Sequence, residues 1–176
     1  AKEISIEPFP VIAPAMHDTA SAVAGIPVAK KDSKWAFLSL GTWAIVGVEN
    51  REILISDDIY DAVFSNEAGV EDTNIFVKNI NGLWVIRQCR NRWLKDKEIS
   101  WDEIVSLSQE ARPFASVIDV EQPQFAAPQA DMPALIAEYC SKTGQRQPST
   151  IGETARCVYE SLALKFRYYL ELLEKF

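Results

Sequence analysis

Two short stretches of the chain contain side chains that could handle a proton or a phosphate. The first is MHDTASAV, residues 16–23, in which Asp18 follows His17, the only histidine. A carboxylate at the start of a helix could accept the proton of a hydroxyl group whose oxygen attacks phosphorus, while the positive end of the helix keeps the carboxylate ionised. An Asp at this position could instead cap the first free amides of the helix, which contributes about 1 kcal/mol. Both interpretations stay open from these residues alone.

The second stretch is SLGTW, residues 39–43, in which Gly41 and Thr42 separate two apolar runs. A Gly-Thr turn between strands can present backbone N–H groups and a hydroxyl to a phosphate. Hairpin turns also use these residues for conformational reasons, so the turn alone does not define a phosphate site. Neither GxxxxGK[ST] nor GxGxxG occurs, which excludes the familiar nucleotide-binding loops.

The sequence contains few histidines and cysteines that could bind a metal or form a disulfide. His17 has no second ligand type beside it, and a lone histidine is more often a structural hydrogen-bonding residue than a metal ligand. The cysteines Cys89, Cys140 and Cys157 lack metal-ligand spacing. Cys140 and Cys157 lie near the facing ends of two predicted helices, where their Cα atoms could come within about 7 Å. Free thiols and a Cys140–Cys157 disulfide are both open.

The composition limits the class of protein. The 176 residues, 48% hydrophobic and 24% charged, are enough for one well-buried domain or one lobe of a larger protein. A formal net charge of −7 leaves no basic surface for nucleic acid or an anionic membrane. The apolar run at residues 35–48 is shorter than the roughly 20 residues that span a bilayer. No signal-peptide pattern is present, so a cytoplasmic location is the default expectation.

The elements around Asp18 and the Gly-Thr turn follow from hydrophobic patterning. VIAPA, residues 11–15, predicts a short buried strand, and a helix is expected to begin at Asp18 or Thr19. WAFLSL and TWAIVGVE predict a strand, a tight turn at Gly41 and a second strand. Residues 49–74 predict one or two short strands plus loop. Three tryptophans are most simply assigned to the core: Trp35, Trp43 and Trp84.

Helical spacing dominates the second half. Apolar residues recur three and four positions apart after Phe76, which predicts a helix that starts near Val77 or Lys78 and contains Gly82. Such a glycine costs about 1 kcal/mol in a helix, which suggests close packing or a nearby ligand.

Two capping boxes, SWDE at residues 100–103 and TIGE at 150–153, each predict the start of a helix. The last helix has an apolar face and turns Lys165 away from it. Residues 112–133 contain four of the nine prolines and predict a long surface connection. Strands first and helices later indicate an α/β or α+β fold, with a mixed sheet and helices packed on it.

A set of motifs, taken in order from about Val11 to the end of the chain, resembles the FGGY carbohydrate-kinase family. The motifs are APAMHDTASAV, LSLGTWAIVGVE, FSNEAGV, VKNINGLWVIRQCR, MPALIAEYCSKTGQ and GETARCVYESLALKFR. The ordered set is far more specific than any single motif. The resemblance implies a ribonuclease-H-like lobe of the actin and hexokinase type. It also implies ATP-dependent, Mg²⁺-dependent phosphorylation of L-rhamnulose to L-rhamnulose 1-phosphate.

The same resemblance assigns roles to particular residues. Asp18 matches the catalytic base, and His17 and Thr19 flank it in the sugar-contacting segment. On the cofactor side the resemblance implies phosphate or nucleotide contacts from Gly41, Thr42, Asn79 and Arg87. Arg87 departs from the family pattern, because it replaces a nucleotide-contacting glutamine, and Gln88 lies about 100° further around the helix. The long guanidinium of Arg87 could still reach a phosphate or ribose.

The resemblance covers part of a kinase only. Residues 1–176 correspond to a single partial C-terminal lobe, with no counterpart of the N-terminal lobe or of the terminal adenosine loop. We therefore expect negligible activity from the chain alone. Two alternatives remain: a kinase for another ketose, such as L-fuculose or L-xylulose, and a non-catalytic sugar-binding or regulatory module. Surfaces that a missing lobe would cover could support self-association.

Overall fold

The computed structural model describes Pro10, residues 17–28 and residues 34–176. The strand predicted at residues 11–15 lies outside these described residues. The elements follow one another as α1 (Asp18–Ala24), β1 (Phe37–Leu40), β2 (Trp43–Asn50), α2 (Asp57–Asp61), β3 (Ser65–Ala68), β4 (Asn74–Asn81), α3 (Trp84–Trp93), α4 (Trp101–Glu110), α5 (Pro123–Ala126), α6 (Met132–Lys142) and α7 (Ile151–Leu173). The predicted order of strands first and helices later is confirmed, as is a helix that begins at Asp18.

The four described strands form one sheet in the order β1-β2-β4-β3. Every neighbouring pair runs antiparallel, so the mixed character predicted for the sheet is not seen among the described strands. The longest pairing joins β2 to β4, from Trp43 opposite Asn81 to Asn50 opposite Asn74. The strand, turn and strand predicted around Gly41 are confirmed as β1 and β2.

The helix predicted to start at Val77 or Lys78 is wrong, because both residues lie within β4. Ile75 and Val77 face one side of the sheet, Phe76 and Ile80 face the other, and all four are buried. A strand covered on both faces has no polar alternation, so its apolar positions also fit helical spacing. The helix begins only at Trp84, after Gly82.

The two faces of the sheet carry separate hydrophobic clusters. On the α1 face, Ala20 and Val23 of α1 pack with Phe37, Ile75 and Val77. On the α7 face, a much larger cluster joins the sheet to α3, α6 and α7. Trp43 is an exception to its predicted core position: it is exposed, at the hairpin end of β2.

The capping residues at two helix starts are confirmed. The Ser100 hydroxyl accepts the Glu103 backbone N–H at 3.1 Å, and the Thr150 hydroxyl accepts that of Glu153 at 3.1 Å. Lys165, which the helical pattern placed away from the apolar face of α7, does not extend into solvent. Its side chain is only 18% exposed, and its ammonium lies 2.7 Å from Asp119.

The connection at residues 112–133 is not the surface loop that its prolines suggested. It contains α5, and the side chains of Ile118, Val120 and Phe125 are buried. Buried side chains satisfy its backbone: Ser161 accepts the Ile118 N–H at 2.8 Å, and Asn81 donates to the Val120 carbonyl at 2.8 Å. These tertiary hydrogen bonds let an irregular segment lie in the core.

Three further features complete the fold. Residues 49–74 include the short helix α2, capped by Ser56, where only strands and loop were expected. All three cysteines are buried free thiols. Across the described parts of the chain, no helix combines the length and the apolar character needed to cross a membrane.

Candidate active site

Asp18 is the first residue of α1 and exposes its carboxylate almost completely. The N-cap position belongs to His17, whose side chain makes no capping hydrogen bond. The Asp18 carboxylate accepts the Thr19 backbone N–H at 2.7 Å, yet its side chain is 96% exposed. It therefore satisfies one free amide of the first turn and stays accessible to a ligand, close to the positive end of the helix.

The residues on either side of Asp18 differ in accessibility. His17 is half exposed, with Nδ1 3.4 Å from an Asp18 oxygen and 4.0 Å from a Glu67 oxygen. Thr19 is buried, with its hydroxyl 3.4 Å from the same Asp18 oxygen. Glu67 was not assigned a role from the sequence, because its approach to His17 depends on how β3 lies relative to α1.

Asn79 lies on the α1 face of the sheet. It alternates with Val77 and Ile75 along β4, and these two residues pack against α1. Its partner on β2 is Ile45, which also packs against that cluster. Asn79 itself is exposed, so the face that carries Asp18 also offers an amide side chain.

The Gly41–Thr42 turn is fixed against the start of α3. The Gly41 carbonyl accepts the Leu83 N–H at 2.9 Å, and the Thr42 carbonyl accepts the Trp84 N–H at 3.0 Å. Gly82 makes this approach possible, since a Cβ there would lie 2.7 Å from the Gly41 carbonyl oxygen. The close packing suggested by Gly82 is confirmed, although the residue precedes the helix.

Arg87 belongs to the same unit as the turn. It lies one turn into α3, and its N–H donates to the Leu83 carbonyl at 3.0 Å. Its side chain is exposed and has no ion-pair partner within the described parts of the chain. A free guanidinium near a Gly-Thr turn is suited to an anionic ligand such as phosphate.

The candidate residues thus form two groups. Asp18, His17 and Thr19 are in direct contact, and Gly41, Thr42 and Arg87 are joined through the backbone of Leu83 and Trp84. No hydrogen bond or ion pair between described residues links the two groups.

Metal ligands are not concentrated anywhere in the described structure. Within residues 17–28 and 34–176, no three His, Cys, Asp or Glu side chains are grouped so as to hold a metal ion. Mg²⁺ is commonly bound by one or two carboxylates together with substrate phosphates. The exposed oxygens of Asp18 fit that mode of binding, whereas an all-protein cage is not available in these segments.

Residues 36–176 match the family model described as the FGGY family of carbohydrate kinases, C-terminal domain. A rhamnulokinase of Bacteroides thetaiotaomicron is 43% identical over 94% of the chain and 33% of its own length. A rhamnulokinase of Halalkalibacterium halodurans is 42% identical over 87% of the chain and 31% of its own length. A rhamnulokinase of Bacillus subtilis is 35% identical over 93% of the chain and 33% of its own length. The chain spans about a third of the length of the curated relatives it matches.

Proposed function

The chain belongs to the FGGY family of carbohydrate kinases, and we propose that it is part of the C-terminal lobe of an ATP-dependent kinase for L-rhamnulose. Its fold is the ribonuclease-H-like fold of the actin and hexokinase type. The observation that carries the proposal is the exposed Asp18 carboxylate in the first turn of α1, within a chain similar to several rhamnulokinases. The product would be L-rhamnulose 1-phosphate.

Asp18 acts as the general base in this proposal. The terminal hydroxyl of the sugar gives its proton to Asp18 while its oxygen forms a bond to the γ-phosphorus of ATP. The bond between that phosphorus and the bridging oxygen breaks, and ADP leaves with the electron pair. The exposed Asp18 carboxylate can approach the sugar hydroxyl as the proton acceptor that this step needs. His17 and Thr19 adjoin Asp18 and support sugar binding by holding its carboxylate in place.

The Gly41–Thr42 turn and Arg87 are proposed to contact the nucleotide. The Thr42 hydroxyl and the N–H groups near it would bind phosphate, and the Arg87 guanidinium would supply the positive charge that the nucleotide's phosphates require. Asn79 would contact the nucleotide from the α1 face of the sheet. On that face the phosphates of the nucleotide would approach the sugar hydroxyl. Mg²⁺ bound with the phosphates would neutralise part of their charge.

Catalysis by residues 1–176 alone is expected to be negligible. Phosphoryl transfer depends on positioning and on charge stabilisation from all sides of the phosphate, and the two groups of site residues cover only part of it. The isolated lobe is also expected to self-associate, because strand β1 exposes Leu38 and Leu40 beside an unpaired edge in the described sheet. Sedimentation of the chain across a concentration series would measure that association.

A sugar panel tests the proposed substrate. ADP release would be measured for the full-length kinase that contains this chain, with L-rhamnulose, L-fuculose and L-xylulose each supplied with ATP and Mg²⁺. We expect kcat/KM for L-rhamnulose to exceed the others by about tenfold or more. A preference for another ketose would replace the substrate. Absence of stimulation by any ketose would overturn the kinase proposal in favour of a sugar-binding or regulatory module.

A further inference from the structure

The net charge of the chain is concentrated in one segment. Residues 49–72 contain eight carboxylates and one arginine, so they carry the whole formal net charge of −7. The remaining residues balance 17 acidic side chains against 17 basic ones. The acidic character of the protein is therefore local, and the segment runs from the end of β2 through α2 to β3, an edge strand of the described sheet.

Large apolar side chains are exposed within that segment. Four of them, in and around α2, are between 61% and 84% exposed: Ile53, Ile55, Tyr60 and Val63. Beside them are four exposed carboxylates that have no ion-pair partner within the described residues: Glu52, Asp57, Asp58 and Asp61. We call these eight side chains the acidic apolar surface.

The acidic apolar surface rests on a well-anchored backbone. The Asn66 side chain accepts the Leu54 N–H at 3.0 Å and donates to the Leu54 carbonyl at 2.9 Å. Ile59 and Phe64 are buried, and Phe64 stacks on Phe76 with ring centroids 4.9 Å apart. The apolar side chains are therefore exposed on a fixed framework, which lowers the entropy cost of binding.

We propose that the acidic apolar surface docks a protein partner that presents an amphipathic segment, with apolar side chains flanked by lysine or arginine. Four apolar side chains on a fixed framework provide area that a partner can bury. The unpaired carboxylates select a basic partner and speed its association.

The charge distribution argues against the other occupants. Two copies of this chain would bring together two surfaces that each carry a net negative charge, and like-charge contacts disfavour association. Nucleic acid and anionic membranes are repelled for the same reason. Self-association through this surface is consequently an outcome that would contradict the proposal.

A defined peptide tests the proposal directly. The probe is a short synthetic peptide with leucine at helical spacing and lysine elsewhere, and its control peptide has glutamate in place of lysine. Amide chemical-shift changes would be recorded on the ¹⁵N-labelled 176-residue chain, and affinity would be measured by calorimetry at low and high salt. We expect saturable binding centred on residues 52–63, about tenfold weaker at high salt.

Two variants separate the apolar contribution from the charged one. Ile55→Ser/Tyr60→Ser keeps every charge, and Asp57→Asn/Asp58→Asn keeps every apolar side chain. Each is expected to weaken binding of the lysine peptide by about tenfold. Phe114→Ser, at an exposed apolar residue outside this surface, is the matched control and should bind as the wild type does.

Three results would overturn the proposal. The first is an absence of saturable binding, or shift changes centred elsewhere. The second is unchanged affinity in the serine double variant, which would reduce the effect to attraction between net charges. The third is self-association of the peptide-free chain that the same serine substitutions abolish, which would make a second copy the occupant.

Discussion

On the α7 face of the sheet, 24 buried residues in the described segments join the strands to α3, α6 and α7. On the α1 face, the corresponding cluster has five buried members among the same described residues. The proposed base and the proposed nucleotide amide, Asp18 and Asn79, both belong to the second face, whose cluster of described residues is the smaller one. Within the described residues, the apolar packing that stabilises the fold lies mainly on one face, and we propose that Asp18 and Asn79 act from the other.

Two neighbouring residues of β4 provide the sharpest test of that division. Phe76 and Val77 are both fully buried, on the α7 face and the α1 face respectively. Phe76→Ala is expected to lower the free energy of unfolding by about 3–5 kcal/mol, and Val77→Ala by about 2 kcal/mol. Urea denaturation of the two variants measures both values. Equal losses would show that the α1 face contributes as much stability as the α7 face.

Gly82→Ala places a methyl group against the turn between β1 and β2. The added Cβ would lie 2.7 Å from the Ala44 nitrogen and from the Gly41 carbonyl oxygen. We expect a loss of about 1–3 kcal/mol in unfolding free energy from this overpacking. In the full-length kinase, KM for ATP should rise more than KM for the sugar. An unchanged KM for ATP would separate the turn from nucleotide binding.

An ion pair that includes Lys165 of α7 should make the free energy of unfolding depend on pH. Burial acts to raise the pKa of Asp119, but the hydrogen bond and charge of Lys165, together with hydrogen bonds from the Glu121 backbone N–H and the Gln122 side chain, outweigh it and lower that pKa. Asp119 therefore stabilises the fold above its unfolded-state pKa of about 3.9, and the contribution is lost as the pH falls through the folded-state value. Asp119→Asn should be less stable than the wild type at neutral pH.

The difference between wild type and Asp119→Asn should shrink towards zero in acid. Urea midpoints measured across a pH series would show this. Asp58→Asn is the matched control, because Asp58 is exposed and has no ion-pair partner within the described residues. If both variants changed in the same way with pH, the pairing of Asp119 with Lys165 would not be the cause.

The smallest change in stability is expected at Asp18. Its carboxylate is exposed and accepts one amide, so Asp18→Asn should alter the unfolding free energy by no more than about 0.5–1 kcal/mol. Thermal denaturation of the 176-residue chain measures this directly. A loss as large as that of Val77→Ala would mean that Asp18 is needed mainly to hold α1 in place.

Local patterns predicted the parts of the fold that depend on local interactions. The turn at Gly41 and the caps at Ser100 and Thr150 are set by neighbouring residues, and the structure contains them. Strand β4 was mistaken for a helix, because its two faces are both buried and alternation disappears. The position of Lys165 depends on Asp119, which is distant in sequence, so helical spacing could not predict it.

The candidate site shows the same limit. Ordered motifs identified Asp18, Thr42, Asn79 and Arg87, but their roles stay proposals that rest on the family resemblance. The contact between His17 and Glu67 and the packing of Gly82 on the hairpin turn arise from tertiary structure. No spacing rule along the chain specifies them, since each depends on how separate elements meet.

The central claim is that Asp18 takes the proton from the sugar. The direct measurement is L-rhamnulose-dependent ADP release by the full-length kinase, with wild type compared with Asp18→Asn. The account predicts that kcat falls by about 10²- to 10⁴-fold, while KM for L-rhamnulose changes little. Turnover that survives in Asp18→Asn would contradict the assignment and leave Asp18 as a residue of the first helical turn only.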